Sequence, residues 1–156
     1  MGKMIKIVLS DVDGVLTDGK MWINAINDCF KCLNYKDFDA ISLLRSKGIK
    51  FGVVTAEENH FTSFVKEKLQ PDFFLSDCKD KYKSILTIAQ KEGIALEEIC
   101  YIGDGKYDIE TISKVGLGLC PNDAIEEVKT IANIVLKRKG GEGCLAETYT
   151  LLCSER

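Results

Sequence analysis

Histidine is almost absent: His60 is the only one in 156 residues. No paired imidazoles stand beside Cys29-Phe30-Lys31-Cys32, and no second C-x-x-C follows it, so a four-ligand zinc site is not expected. Excess charge is absent too. The net charge of −3 excludes the basic footprint of a nucleic-acid or anionic-membrane partner. No apolar run approaches the length that spans a bilayer. The opening MGKMIKIVLSD lacks a signal-like apolar core and a small-residue cleavage site, which predicts a cytoplasmic protein. Repeats, low-complexity tracts and linkers are also missing. The chain therefore reads as one domain over residues 1–156 with room for a real core.

In such a protein the seven cysteines are expected as small buried apolar residues rather than disulfides. Apolar runs alternate with helical periods. Strand-like runs cover 5–9, 49–54, 73–75, 99–102, 117–119 and 134–136. Amphipathic stretches cover 37–47, 58–69, 81–91, 108–114, 124–132 and 145–152. Gly48, Gly93 and Gly116 stand where helices should stop, and Asp37, Asp80 and Asp123 where they should start. This alternation predicts an α/β fold with a doubly wound, mostly parallel sheet covered on both faces.

Residues 20–35 break the pattern. Two β-prone pieces flank Ala25-Ile26-Asn27-Asp28, a plausible turn, which predicts a β-hairpin. Met21, Trp22, Ile23 and Phe30 make it too apolar to stand alone in water. It should pack on the body or on another subunit.

In doubly wound sheets, ligands bind beyond the carboxyl ends of the strands. Asp11 and Asp13 follow the first run, Thr55 the second, Lys79, Lys81 and Lys83 the third, and Asp104 and Asp108 the fourth. Any one of these is most simply a turn former or cap. Four acids brought together repel unless a cation sits among them, and hard oxygen donors leaving room for water and phosphate suit Mg²⁺. A hydroxyl and an ammonium beside them can hold phosphate oxygens. A carboxylate there can attack phosphorus, while one two residues on exchanges protons.

Asp11-Val12-Asp13-Gly14-Val15, Thr55, Lys81, and Gly103-Asp104 with Asp108 resemble, in order, the four motifs of the haloacid dehalogenase-like superfamily of phosphotransferases. DVDGVLTDG, DKYKSIL, YIGDGKYDIE and KRKGGEGCLAE extend the resemblance to the subgroup holding 3-deoxy-D-manno-octulosonate 8-phosphate and nonulosonate 9-phosphate phosphatases. The resemblance implies a Rossmann-like core. Asp11 would be nucleophile and Mg²⁺ ligand. Asp13 would be general acid/base, with its backbone carbonyl on the metal. Thr55 and Lys81 would hold the phosphate. Asp104 would bind metal, and Asp108 would support the metal or Lys81.

Only 44 positions separate Asp11 from Thr55, and 26 separate Thr55 from Lys81, so no cap domain fits. In the resembled subgroup a neighbouring subunit of a tetramer covers the site, with the hairpin at the interface. The resemblance thus implies a homo-oligomer, a tetramer by preference. It also implies a role in lipopolysaccharide or sialic acid biosynthesis.

Several residues depart from the family. Ala56 and Glu57 follow Thr55 where Gly-Arg or Gly-Glu is usual. Gly105 replaces an acid, and Phe38 and Ala40 replace glycines. Glu57 with Lys68 resembles the nonulosonate branch, which makes Ala56, Glu57 and Lys68 candidate substrate contacts beside Thr55 and Lys81. Gly140-Gly141-Glu142-Gly143 is either a plain loop or, as the resemblance implies, a backbone approach to substrate, in its own or a neighbour's site. The reading is a Mg²⁺-dependent phosphatase of a keto-deoxy sugar acid. Alternatives are a phosphatase of another small sugar phosphate or a degenerate ligand-binding member. A phospho-receiver domain fits poorly, since Asp77 is the only candidate acceptor.

Overall fold

The computed structural model describes residues 4–154; Lys3, flanking the first apolar run, lies outside them. Six parallel strands form the main sheet: β1 (Ile7–Ser10), β4 (Lys50–Val54), β5 (Phe73–Leu75), β6 (Ile99–Ile102), β7 (Leu117–Cys120) and β8 (Ile134–Val135). Their order is β5-β4-β1-β6-β7-β8. Between them run α1 (Tyr35–Ser46), α2 (His60–Leu69), α3 (Lys81–Glu92), α4 (Ile109–Lys114) and α5 (Glu126–Ile131), and α6 (Cys144–Cys153) closes the chain. The sheet is doubly wound as expected. The chain builds outward from β1 through β4 to β5, then crosses to β6 on the other side. The tip of β1 is therefore the topological switch point.

Strand parity explains the two cores. Val8, Cys100, Ile102 and Leu119 pack beneath α1, α2 and α6 with Ile41, Leu44, Val65 and Leu145. Ile7, Leu9, Ile99 and Tyr101 face α3, α4 and α5 with Ile85, Ile88, Ile112 and Val128. Buried on both faces, the central strands read as continuous apolar runs.

Local boundaries differ where polar groups found better partners. Asn34, not Asp37, caps α1, its side chain accepting from the Lys36 amide. Asp37 is buried in the first turn and accepts instead from the Leu145 amide of α6 at 3.0 Å. Asp123 starts no helix; Ile125 precedes α5, and Asp123 accepts from Gly140 N at 3.0 Å. Asp80 caps α3, and Gly93 ends it in the left-handed conformation. Gly116 is no left-handed stop: a Cβ there would lie 2.0 Å from the Glu97 carbonyl oxygen. The first strand begins at Ile7 rather than Ile5.

The predicted hairpin forms as β2 (Trp22–Ile23) paired antiparallel with β3 (Cys29–Phe30). Asn24 accepts from the Ile26 and Asp28 amides and shapes the turn. Its apolar side chains do not pack on the body. Met21, Trp22, Ile23, Ile26 and Phe30 are all exposed, Trp22 by 74%. Cys29 and Cys32 are exposed as well, against expectation, because the hairpin stands off the sheet; Cys100, Cys120 and Cys144 are buried.

Candidate active site

The parallel register sets Ser10 opposite Val53 on one side and Ile102 on the other. The residues just beyond these three positions therefore rise at the same edge of the sheet. Asp11 leaves β1 with its amide donating to the Ile102 carbonyl at 3.0 Å. Thr55 leaves β4, buried, with its amide on the Leu75 carbonyl at 2.8 Å. Its Oγ1 accepts from the Glu57 amide at 3.3 Å, which leaves the hydroxyl proton free to donate.

Lys81 opens α3 at 3% exposure of its side chain and lies 3.0 Å from Asp11 Oδ2 and 2.8 Å from Asp108 Oδ1. Lys79 and Lys83 are exposed, so Lys81 is the lysine the fold turns inward. Burial works against its charge, yet the two carboxylates outweigh that and hold the ammonium above its usual range. Asp108 is the most enclosed carboxylate of the group. It accepts from Lys81 and the Tyr101 hydroxyl on Oδ1, and from the Asp104 and Gly105 amides at 3.0 Å on Oδ2. With both oxygens engaged, its plainest task is to hold Lys81 and shape the loop carrying Asp104.

Tyr101 was not a sequence candidate. A signal existed: a tyrosine amid a fully buried strand needs a partner for its hydroxyl.

Asp11, Asp104 and Asp108 each offer a carboxylate oxygen, and these lie within 4.8 Å of one another. Burial, then repulsion from Asp108, pushes Asp11 up to about 8, with Lys81 pulling the other way. Burial and Asp108 likewise push Asp104 up to about 7. Three hard oxygen donors short of positive charge fit Mg²⁺, which Lys81 alone does not replace. Gly14 makes the cluster compact. At φ +90°, it passes so close to Asp104 that a Cβ would lie 1.8 Å from Oδ2.

Asp13 stands outside the cluster. Its carboxylate accepts from the Thr17 hydroxyl at 3.1 Å and from Lys31 Nζ at 2.9 Å on both oxygens. Lys31, another residue missed in sequence, follows β3 and had no periodicity to mark it.

A cavity of about 850 Å³ adjoins this edge, between the hairpin and α2; Lys31, Phe38, Phe61, Phe64 and Lys68 are among its walls. Lys68 is thus brought to the cavity but not to the carboxylates. Glu57 is exposed and lines neither; no ion pair joins it to Lys68 among the described residues. Ala56 is half-buried beside Thr55. Of the glycine replacements, Phe38 lines the cavity, whereas Ala40 belongs to the core.

The glycine-rich loop makes its close approach within the chain. A Cβ on Gly140 would meet the Gly14 carbonyl oxygen at 2.1 Å, and the Gly141 amide donates to the Val15 carbonyl at 3.0 Å. The loop therefore braces the turn that carries Asp13.

Residues 73–146 match the family model described as haloacid dehalogenase-like hydrolase. The chain is 30% identical to a Legionella pneumophila protein described as a hydrolase of haloacid dehalogenase subfamily III A. It covers 95% of this chain and 81% of that one, with a TM-score of 0.91. It is 28% identical over 148 residues to the Haemophilus influenzae 3-deoxy-D-manno-octulosonate 8-phosphate phosphatase, covering 95% of this chain and 82% of the relative. The Moraxella catarrhalis enzyme of that name, crystallised with magnesium, phosphate and the octulosonate, shares the fold. There the TM-score is 0.89 at 24% identity, covering 95% of this chain and 85% of that one. The chain belongs to the haloacid dehalogenase-like superfamily of hydrolases, in its capless subgroup.

Proposed function

We propose that the protein is a Mg²⁺-dependent phosphatase that hydrolyses the phosphomonoester of a keto-deoxy sugar acid, an octulosonate 8-phosphate or a nonulosonate 9-phosphate. The observation carrying this reading is the Asp11–Lys81–Asp108 ion network, with Asp104 beside it, at the switch point of a sheet that has no cap domain. The Haemophilus influenzae and Moraxella catarrhalis relatives are octulosonate 8-phosphate phosphatases, which supports that class of substrate.

Asp11 and Asp104 would hold Mg²⁺, with the Asp13 backbone carbonyl, and Asp108 would hold both the loop and Lys81. When bound, Mg²⁺ supplies the positive charge that lets carboxylates and a phosphate dianion share one pocket. Lys81 and the free Thr55 hydroxyl hold the phosphate oxygens. The Asp11 carboxylate attacks phosphorus, and the bond to the sugar oxygen breaks as Asp13 gives that oxygen a proton. Asp13 then takes a proton from water, the water oxygen bonds to phosphorus, and the Asp11–phosphate bond opens to release inorganic phosphate.

The cavity beside the site would take the sugar. Lys68 on its wall favours an anionic substrate, and Glu57, exposed two residues beyond Thr55 and outside the cavity wall, would meet hydroxyl or amino groups of a substrate that reaches past the cavity. The exposed apolar hairpin supports a homo-oligomer, preferably a tetramer, whose neighbouring subunit would cover the cavity. No described helix is long and apolar enough to cross a membrane, and the cytoplasm is the compartment we propose.

The test is phosphate release with and without Mg²⁺ from the octulosonate 8-phosphate, nonulosonate and N-acylneuraminate 9-phosphates, hexose phosphates and p-nitrophenyl phosphate. Mg²⁺-dependent turnover fastest on one keto-sugar acid is expected, and Asp11→Asn should abolish it. Preference for a hexose phosphate would select another sugar phosphate as substrate. Ligand binding without turnover would make the chain a degenerate binder.

A further inference from the structure

The hairpin is built inside out. Trp22, on β2, is 74% exposed, while the Lys31 side chain, just after β3, is only 12% exposed. Burying an ammonium in preference to an indole runs against solvation, and it needs a compensating partner. Lys31 has two. Its Nζ sits 2.9 Å from both oxygens of Asp13 and 5.1 Å from the centre of the Phe61 ring on α2. Close to both oxygens at once, the ammonium tethers the Asp13 carboxylate where it stands.

The other side-chain contact on Asp13 is one-sided. Thr17 donates to Oδ1 alone, and its hydroxyl oxygen already accepts from the Gly14 and Gly19 amides. With its side chain 32% exposed, Asp13 would be free to turn about its own bonds without Lys31.

We propose that Lys31 is a positioning residue for the Asp13 carboxylate, through which the hairpin sets the geometry of proton delivery to the leaving oxygen. This rests on the reading of Asp13 as the proton carrier. Lys31 touches Asp13 directly from a segment outside the four motifs. A change in hairpin position would move Nζ, and with it the Asp13 carboxylate, while Asp11, Lys81, Asp104 and Asp108 keep their own contacts. The hairpin is then a lever on one step of the reaction rather than on phosphate binding.

The test separates esters by their need for a proton. An alkyl phosphate leaves as a strong base and needs the acid; p-nitrophenolate leaves without it. Measured as kcat/KM, which covers steps through departure of the leaving group, Lys31→Met should cost about 10- to 100-fold on an alkyl phosphate such as the octulosonate 8-phosphate. The cost on p-nitrophenyl phosphate should be about threefold or less, and Lys31→Arg should recover most of the loss, because a guanidinium can grip both oxygens. In an Asp13→Asn background, Lys31→Met should add nothing beyond about twofold. Lys31→Gln serves as a second variant, and circular dichroism confirms that each is folded.

Equal losses on both esters would overturn the inference, since Lys31 would then act on phosphate or on the fold. A full Lys31→Met penalty surviving in the Asp13→Asn background would overturn it as well. If Asp13→Asn alone leaves alkyl-phosphate turnover intact, the proton-carrier reading falls, and the role of Lys31 falls with it.

Discussion

Asp37 offers a stability test that needs no substrate. It is 2% exposed and joins α1 to the start of α6, just after the glycine loop that braces the Asp13 turn. Burial pushes its carboxyl up from 3.8 to about 6; the Leu145 and Ala146 amides and Arg138 pull it down only in part. The native state therefore holds this proton more tightly than the unfolded chain does. At about 1.4 kcal/mol per pH unit, ionised Asp37 costs the fold about 3 kcal/mol at pH 8 compared with its neutral form. Stability rises as pH falls through about 6 and levels off below 3.8. Between pH 5 and 8 the change amounts to about 1.4 kcal/mol, most of it below pH 7.

Asp37→Asn imitates the neutral acid and keeps an acceptor for the Leu145 amide. Urea unfolding of both proteins in chelator, from pH 5 to 8, is the assay. In the difference between them, contributions from Asp11 and Asp104 cancel. The variant should be the more stable at pH 8, with its advantage shrinking by about 1.4 kcal/mol by pH 5. An advantage of constant size across this range would refute the reasoning, because Asp37 would then not titrate in that window.

Three further substitutions probe the braces around the site. Gly140→Ala drives a Cβ to within 2.1 Å of the Gly14 carbonyl oxygen and should cost about 3 kcal/mol in urea unfolding, since backbone cannot yield as a side chain does. An unchanged midpoint would mean that the loop does not brace the Asp13 turn. Tyr101→Phe removes one of the four donors on the buried Asp108 and should cost about 1–3 kcal/mol by thermal unfolding. No loss would mean that the other three donors suffice. Glu57 makes no side-chain hydrogen bond among the described residues, so Glu57→Gln should shift preference among sugar acid phosphates and leave p-nitrophenyl phosphate turnover nearly unaltered. An equal loss on every substrate would assign it a structural role.

The sequence by itself determined the layered sheet, the hairpin, and the order in which acidic, hydroxyl and ammonium groups follow the strands. These are local properties. A period of two or 3.6 shows which face is buried, and a glycine or aspartate at a boundary satisfies the chain end within a few residues. Such signals place Asp11, Thr55, Lys81 and Asp104 at strand or helix ends, and the parallel register brings those ends together.

Only the tertiary structure decided which partner each polar group takes. Asp37 and Asp123 look like caps, yet they serve amides 108 and 17 residues away along the chain. The Tyr101 hydroxyl reads as part of an apolar strand until Asp108 folds back onto it. Lys31 carries no period, and its inward turn depends on Asp13 and Phe61 arriving from two other segments. Apolar burial is cumulative, so a pattern along the chain encodes it. A hydrogen bond or ion pair is a single meeting of two groups at about 3 Å, and distant segments meet only when the whole chain has folded.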